Sequence, residues 1–143
     1  MLRQVMVGCV LVSCTIVVEA VFIGLAILGL NRTGAWLVTG HRVMKLVMTL
    51  IITTLWLFTA LGVAIWIWAA AFMVLGLFES LEAALYFSSV AFTTLGFGDI
   101  TLGPEWRLLS GVMAANGLVV FSLTTAFLIE LMRHLNKATG ESG

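Results

Sequence analysis

The stretch SSVAFTTLGFGD, residues 88–99, differs from the sequence on either side of it. Its surroundings are apolar runs typical of helices in lipid, whereas this stretch carries Gly96, Gly98 and Asp99. Irregular backbone at membrane depth is tolerated only where protein buries it or where it lines a watery path, because an unpaired carbonyl in hydrocarbon costs several kcal/mol. We therefore expect this stretch to face a pore or a cavity.

The composition identifies the solvent as lipid. Of the 143 residues, 62% are hydrophobic and 10% are charged, which is unlike a soluble domain of this size. Three apolar runs, residues 5–30, 46–77 and 108–131, each exceed the roughly 20 residues that a bilayer-spanning helix needs. A fourth run, residues 81–92, would reach about 18 Å as a helix, near half the membrane. We expect it to be a re-entrant helix.

The two glycines of residues 88–99 favour a backbone whose carbonyl groups line up in a row on one side. Glycine permits positive φ, so Gly96 and Gly98 allow successive carbonyls to point the same way instead of alternating as in a strand. Residues 93–99, TTLGFGD, resemble the signature filter of the potassium channel pore-loop family, Thr-Val-Gly-Tyr-Gly-Asp. The resemblance covers about residues 46–135, and Gly117 stands where such channels often carry a hinge glycine. It implies two transmembrane helices with a re-entrant pore helix and a selectivity-filter loop between them. Together with the first apolar run, the predicted fold is an all-α membrane protein with three transmembrane helices.

The resemblance also implies which residues hold and support the ions. Backbone carbonyls, with one threonine hydroxyl, replace the hydration shell of K⁺; they belong to Thr94, Leu95, Gly96 and Phe97. The residues expected to support this filter are Thr93, Gly98, Asp99, Tyr86, Phe87 and Val90. Phe97 and Val90 stand where family members often carry a tyrosine and a glutamate, so two polar ties are absent. We expect Phe97 to pack on Tyr86 and Phe87, and the Tyr86 hydroxyl to bond Asp99.

One loop cannot encircle an ion, and the chain carries a single copy of the motif. The functional unit is therefore predicted to be a homotetramer with the ion path on its fourfold axis. Its expected partners are other copies of the chain, K⁺ as the permeant ion and membrane lipid, with no nucleic acid and no cofactor besides filter K⁺. Gly117 and one face of the third span are predicted to form the cavity and gate. That face comprises Leu118, Phe121, Thr125 and Ile129.

The predicted domains follow from these runs. Residues 1–45 are expected to form an N-terminal transmembrane helix and a cytoplasmic connection, and residues 46–143 a two-span pore domain. The pore domain divides into an outer helix 46–77, a pore helix 80–92, a filter 93–99, an inner helix 106–133 and a short cytoplasmic tail.

Orientation is predicted from the basic residues, because cytoplasmic loops are enriched in Lys and Arg. Five of the seven fall on one side of the predicted membrane, namely Arg32, Arg42, Lys45, Arg133 and Lys137. The N-terminus is then outside and the C-terminus cytoplasmic. The minimal build favours a prokaryotic inner membrane.

Two polar residues within the spans leave alternatives open. Glu19 lies near the middle of the first span, where an ionised carboxylate is expensive. It is either a structural residue bonded to Thr53, Thr54 or Trp56 of the second span, or a proton sensor. Asn116 either faces the cavity or bonds a neighbouring helix.

The sequence thus predicts a potassium-selective channel that conducts K⁺ passively across a cell membrane. One alternative is a non-selective monovalent cation channel, because a filter without the tyrosine is less firmly tied. Another is a non-conducting membrane subunit that needs a partner. No enzyme is expected, since no Ser or Cys has a His and an acid suited to act with it, and no metal-ligand cluster is evident.

Overall fold

The computed structural model describes the backbone of residues 2–37 and 42–138 and the side chains of residues 2–32 and 44–135. Within these ranges the regular secondary structure consists of helices alone. The helices are α1 (Leu2–Leu37), α2 (Arg42–Val74), α3 (Leu81–Phe92) and α4 (Arg107–Ala138). Parts of the predicted cytoplasmic connection and tail, residues 38–41 and 139–143, lie outside the described residues. The side chains of Arg42 and Lys137, used for orientation, lie outside them as well.

Three of the helices are long and apolar enough to cross a membrane. Their spans are Leu2–Arg32, Met44–Val74 and Arg107–Leu135. The fourth, α3, has 12 residues and is apolar but short. The predicted all-helical class with three long apolar helices is confirmed.

Helices α1 and α4 run parallel to each other. At the start of both, the Gln4 side-chain amide donates a hydrogen bond to the Glu105 carbonyl, and the Arg3 guanidinium lies 5.2 Å from the centre of the Trp106 ring. Further along both helices, Thr15 of α1 accepts a hydrogen bond from Asn116 of α4. Later residues of α1 thus contact later residues of α4, as parallel helices do. Because α2 connects to the far end of α1 and runs back, the chain traverses the bundle three times.

The end of α2 differs from the predicted outer helix 46–77. The helix begins at Arg42 and stops at Val74, because Gly76 takes φ +67°. The Gly76 amide then donates to the Met73 carbonyl and the Leu77 amide to the Phe72 carbonyl, both at 3.0 Å. This pair of bonds is a Schellman cap, which ends a helix at a left-handed glycine.

The other predicted bounds shift by smaller amounts. Helix α3 begins at Leu81 instead of residue 80, because Ser80 has extended dihedrals and its hydroxyl caps the Ala83 amide at 3.2 Å. Helix α4 begins at Arg107 instead of residue 106 and continues to Ala138, beyond the predicted end at 133.

An aromatic cluster holds α3 against α2. The Phe87 ring of α3 lies 5.5 Å from Phe72 and 5.3 Å from Phe78, measured between centroids. Trp68 packs on Phe72 at 5.8 Å, and Trp68 and Phe72 are fully buried. Edge-on and tilted ring pairs at these separations are favourable. This cluster sets the position of the stretch that follows α3.

Candidate functional site

Helix α3 ends where the irregular stretch begins. Its last helical residue is Phe92, and Thr93 caps the end. The Thr93 hydroxyl donates to the Ser89 carbonyl at 2.7 Å, and its amide bonds the same carbonyl at 3.1 Å. These bonds occupy carbonyls of the last turn, so the backbone leaves the helix at a defined point.

The backbone that follows has positive φ at every second residue. The values are 62° at Thr94, 55° at Gly96 and 78° at Gly98. Thr94 is the only non-glycine with positive φ among the described residues. In a strand successive carbonyls point to opposite sides, whereas left-handed residues at alternate positions reverse that alternation. The geometry therefore permits neighbouring carbonyls to face one way.

Amide groups attach this stretch to α3 while its carbonyls stay free. The Thr94 amide donates to the Ala91 carbonyl at 3.1 Å and the Gly96 amide to the Val90 carbonyl at 3.3 Å. Within the described part of the chain, the carbonyls of residues 94–97 accept no hydrogen bond. Residues 94–99 are all exposed in the single chain. Free carbonyl oxygens arranged in a row can act as ligands for a cation.

One side-chain bond joins the far end of the stretch to α3. The Tyr86 hydroxyl donates to Asp99 Oδ2 at 2.6 Å. This hydrogen bond holds the pKa of Asp99 below its ordinary value and raises the pKa of the Tyr86 hydroxyl, because it stabilises the ionised carboxylate and the protonated phenol.

The expected packing of Phe97 on Tyr86 and Phe87 is wrong for the single chain. Phe97 is 66% exposed, and the ring contacts found among the described residues do not include it. The Phe87 ring instead faces α2 and packs against the rings of Phe72 and Phe78. The Phe97 ring therefore has no aromatic partner among the described residues of its own chain.

A groove of about 430 Å³ lies behind the stretch, between α3 and the start of α4. Its lining includes Tyr86 and Val90 of α3, Gly96 and Asp99 of the irregular stretch, and Arg107 of α4. It borders the stretch on the side of α4.

The predicted cavity face of α4 is uncovered in the single chain. Leu118 is 58% exposed and Ile129 49%, and Phe121 and Thr125 are exposed as well. The opposite face, with Asn116 and Val120, is buried. The structure thus leaves the whole predicted face free to line a space or to meet another copy.

Gly117 lies against the end of α3. A Cβ built there would overlap the Phe92 carbonyl oxygen and lie 2.9 Å from its carbon. Because that neighbour is backbone, it cannot rotate away. Glycine is required at this position by the close approach of α4 to α3, in addition to any role as a hinge.

The expected partner of Glu19 is wrong. Glu19 is 1% exposed, and its Oε1 accepts a 2.7 Å hydrogen bond from Thr124 of α4, not from Thr53, Thr54 or Trp56 of α2. The Trp56 indole donates instead to the Phe22 carbonyl at 3.0 Å.

Asn116 bonds a neighbouring helix, because its Nδ2 donates to the Thr15 hydroxyl at 2.7 Å. Sequence reasoning missed Thr15 and Thr124. The available signal was spacing: Thr15 and Glu19 are four apart on α1, and Asn116 and Thr124 share a face of α4.

Comparison with known families agrees with this geometry. Residues 46–134, more than half of the chain, match the family model described as "Ion channel". The match begins within α2 and runs through α3, the irregular stretch and most of α4. The chain belongs to this ion channel family. No curated protein and no solved structure matches it.

The family and the three long apolar helices define an integral membrane protein. Membership favours transport over catalysis. Helix α1 lies outside the matched residues.

Proposed function

We propose that this chain forms a potassium-selective channel, with residues 93–99 as its filter. The main support is the positive φ at alternate residues Thr94, Gly96 and Gly98. In the same stretch, amides are hydrogen-bonded to α3 while the carbonyls of residues 94–97 accept no hydrogen bond among the described residues. K⁺ is then held by the carbonyls of residues 94–97 and the Thr94 hydroxyl, with no other cofactor. Dehydrating a cation requires such a ring of oxygens.

The position of α3 supports its role as a re-entrant pore helix. Its 12 residues span about 18 Å, near half a bilayer. Its end rests against Gly117 of α4, and Gly117 lies about 15 Å along α4 from Arg107 at the helical rise. The end of α3 therefore lies well below the start of α4. The partial negative charge of this helix end then favours a cation.

Exposure supports the homotetramer. A single chain leaves residues 94–99 and the α4 face of Leu118 and Ile129 uncovered, although unpaired carbonyls in hydrocarbon are costly. Four copies around one axis cover both surfaces, complete the ion ligands and give Phe97 neighbours. The axis then runs past Leu118, Phe121, Thr125 and Ile129 below the filter.

The domain division and orientation complete the proposal. Residues 1–45 form an added transmembrane helix with its connection, and residues 46–143 the pore domain. The basic residues favour an N-terminus outside and a C-terminus in the cytoplasm, and the minimal build favours the inner membrane of a prokaryotic cell. Lipid surrounds it.

A non-selective monovalent cation channel is the second candidate. The exposed Phe97 ring, which has no aromatic partner among the described residues, favours it, because the filter then has few lateral ties. Reversal potentials of purified protein in liposomes, under opposed K⁺ and Na⁺ gradients, separate the two. We expect a potential near the K⁺ equilibrium value. A value near zero would favour the second candidate, and the absence of flux would contradict a channel that works without a partner.

A further inference from the structure

A second groove, of about 470 Å³, lies between α1 and α2 and away from the filter. Its walls include Leu25 and Gly29 of α1 and Thr49, Ile52 and Trp56 of α2. All of these residues lie in the half of the spans next to the connection between the two helices. The volume is within the roughly 300–1,000 Å³ range of ligand sites.

The lining offers hydrocarbon contact and few free polar groups. The Thr49 hydroxyl donates to the Lys45 carbonyl at 2.9 Å, and the Trp56 indole donates to the Phe22 carbonyl. Leu25 and Ile52 are exposed on the walls. In a membrane-spanning chain, the medium outside such a groove is lipid.

Basic residues stand at the end of the groove nearest the connection. Arg32, exposed, is one turn beyond Gly29 on the same face of α1. Lys45 is one turn before Thr49 on the face of α2 that carries Ile52 and Trp56. Side chains three or four apart share a helix face, so one cation belongs to each wall. Basic pockets between transmembrane helices suit anionic lipid headgroups.

We propose that this groove binds one anionic phospholipid, with an acyl chain between α1 and α2 and its phosphate beside Arg32 and Lys45. The apolar walls select an acyl chain, and the two cations select a negative headgroup over a zwitterionic one. The proposal needs only the membrane location and does not depend on ion selectivity.

Gly29 allows a direct test because a Cβ there meets nothing within 4 Å. The variant Gly29→Leu fills the groove without displacing backbone. Gly24→Leu is the matched control: it lies on the same helix, its Cβ is equally unobstructed, and it does not line the groove.

The measurement is native mass spectrometry of the protein in detergent, titrated with phosphatidylglycerol or phosphatidylcholine of identical acyl chains. We expect wild type and Gly24→Leu to retain phosphatidylglycerol preferentially, and Gly29→Leu to bind both lipids more weakly. Arg32→Gln should weaken phosphatidylglycerol binding about fivefold and leave phosphatidylcholine binding unchanged.

Equal retention of the two lipids by wild type would overturn the choice of headgroup. Unchanged phosphatidylglycerol binding by Gly29→Leu would overturn the site. If Gly29→Leu instead changes the oligomeric state and leaves lipid binding intact, a second copy of the chain occupies the groove and the proposal is wrong.

Discussion

Gly117 of α4 approaches the Phe92 carbonyl so closely that no side chain fits between them. This contact joins the helix that leads into the proposed filter to the helix that carries the predicted cavity face. A change at either residue therefore acts on both parts of the proposed ion path.

We predict that Gly117→Ala destabilises the protein and abolishes current. The added methyl meets backbone, so α4 must move away from α3; overpacking of this kind costs about 1–3 kcal/mol. Thermal unfolding of the purified protein and flux in liposomes measure the two effects. Gly62→Ala is the control, since a Cβ there has open space. Equal stability of both variants would mean that α4 does not pack on Phe92 as described.

Gly98→Ala should eliminate selective K⁺ conduction while leaving the helices intact. Gly98 has φ +78°, and a left-handed conformation costs an L-residue with a Cβ about 1–2 kcal/mol. Reversal potentials report the loss. Gly103→Ala is the matched control in the same connection, with open space and no positive φ. Wild-type selectivity in Gly98→Ala would rule out the carbonyl filter.

Tyr86→Phe should speed the loss of current or relax selectivity, because it removes the bond to Asp99 with little change in volume. Phe97→Tyr should slow that loss by supplying a new hydroxyl tie to the filter. Phe97 has no ring contact within its own chain among the described residues, so in the proposed tetramer we expect this tie to reach another copy. Time courses of current in planar bilayers measure both. Identical decay in wild type and Tyr86→Phe would show that another group holds Asp99.

We predict that the Tyr86 bond also sets the pH below which acid abolishes the current. The pKa of Asp99 is depressed, so the stabilisation is complete above the ordinary aspartate pKa of about 3.9 and is lost as pH falls through the lower, folded value. In Tyr86→Phe the pKa of Asp99 should rise toward its ordinary value, and acid loss of current should begin at higher pH. Recording the current while the solution on the side of the membrane nearest Asp99 is acidified measures the pH at which each protein loses current. The same acid limit in both proteins would contradict the assignment.

The Glu19–Thr124 contact predicts a structural role for the carboxyl group. Glu19→Gln keeps the Oε1 acceptor for the Thr124 hydroxyl, so we expect the pH response of the current to be unchanged. Thr124→Val removes the donor at similar size and should cost about 0.6 kcal/mol, the average for such bonds in membranes. Unfolding in detergent of both variants and of their double mutant measures the coupling. An altered pH response in Glu19→Gln would identify a proton sensor instead.

The sequence by itself determined the number of long apolar helices, the short fourth helix and the irregular stretch at 93–99. Span length and composition are local properties, so they can be read without knowing any neighbour. The sequence also predicted that Gly96 and Gly98 can take positive φ, because glycine lacks the Cβ that penalises it, and both residues do so. The extent of the family resemblance, about residues 46–135, agrees with the matched residues 46–134.

Only the tertiary structure decided which helix faces which. Helical periodicity places Glu19 on a face but does not say whether that face meets α2 or α4, because both neighbours offer hydroxyls at comparable depth. The parallel packing of α1 on α4 selects Thr124 and leaves Trp56 to the Phe22 carbonyl. Likewise, the requirement for glycine at Gly117 arises from the backbone of another helix. Contacts between segments distant in sequence depend on the packing of the whole bundle, and no local pattern encodes them.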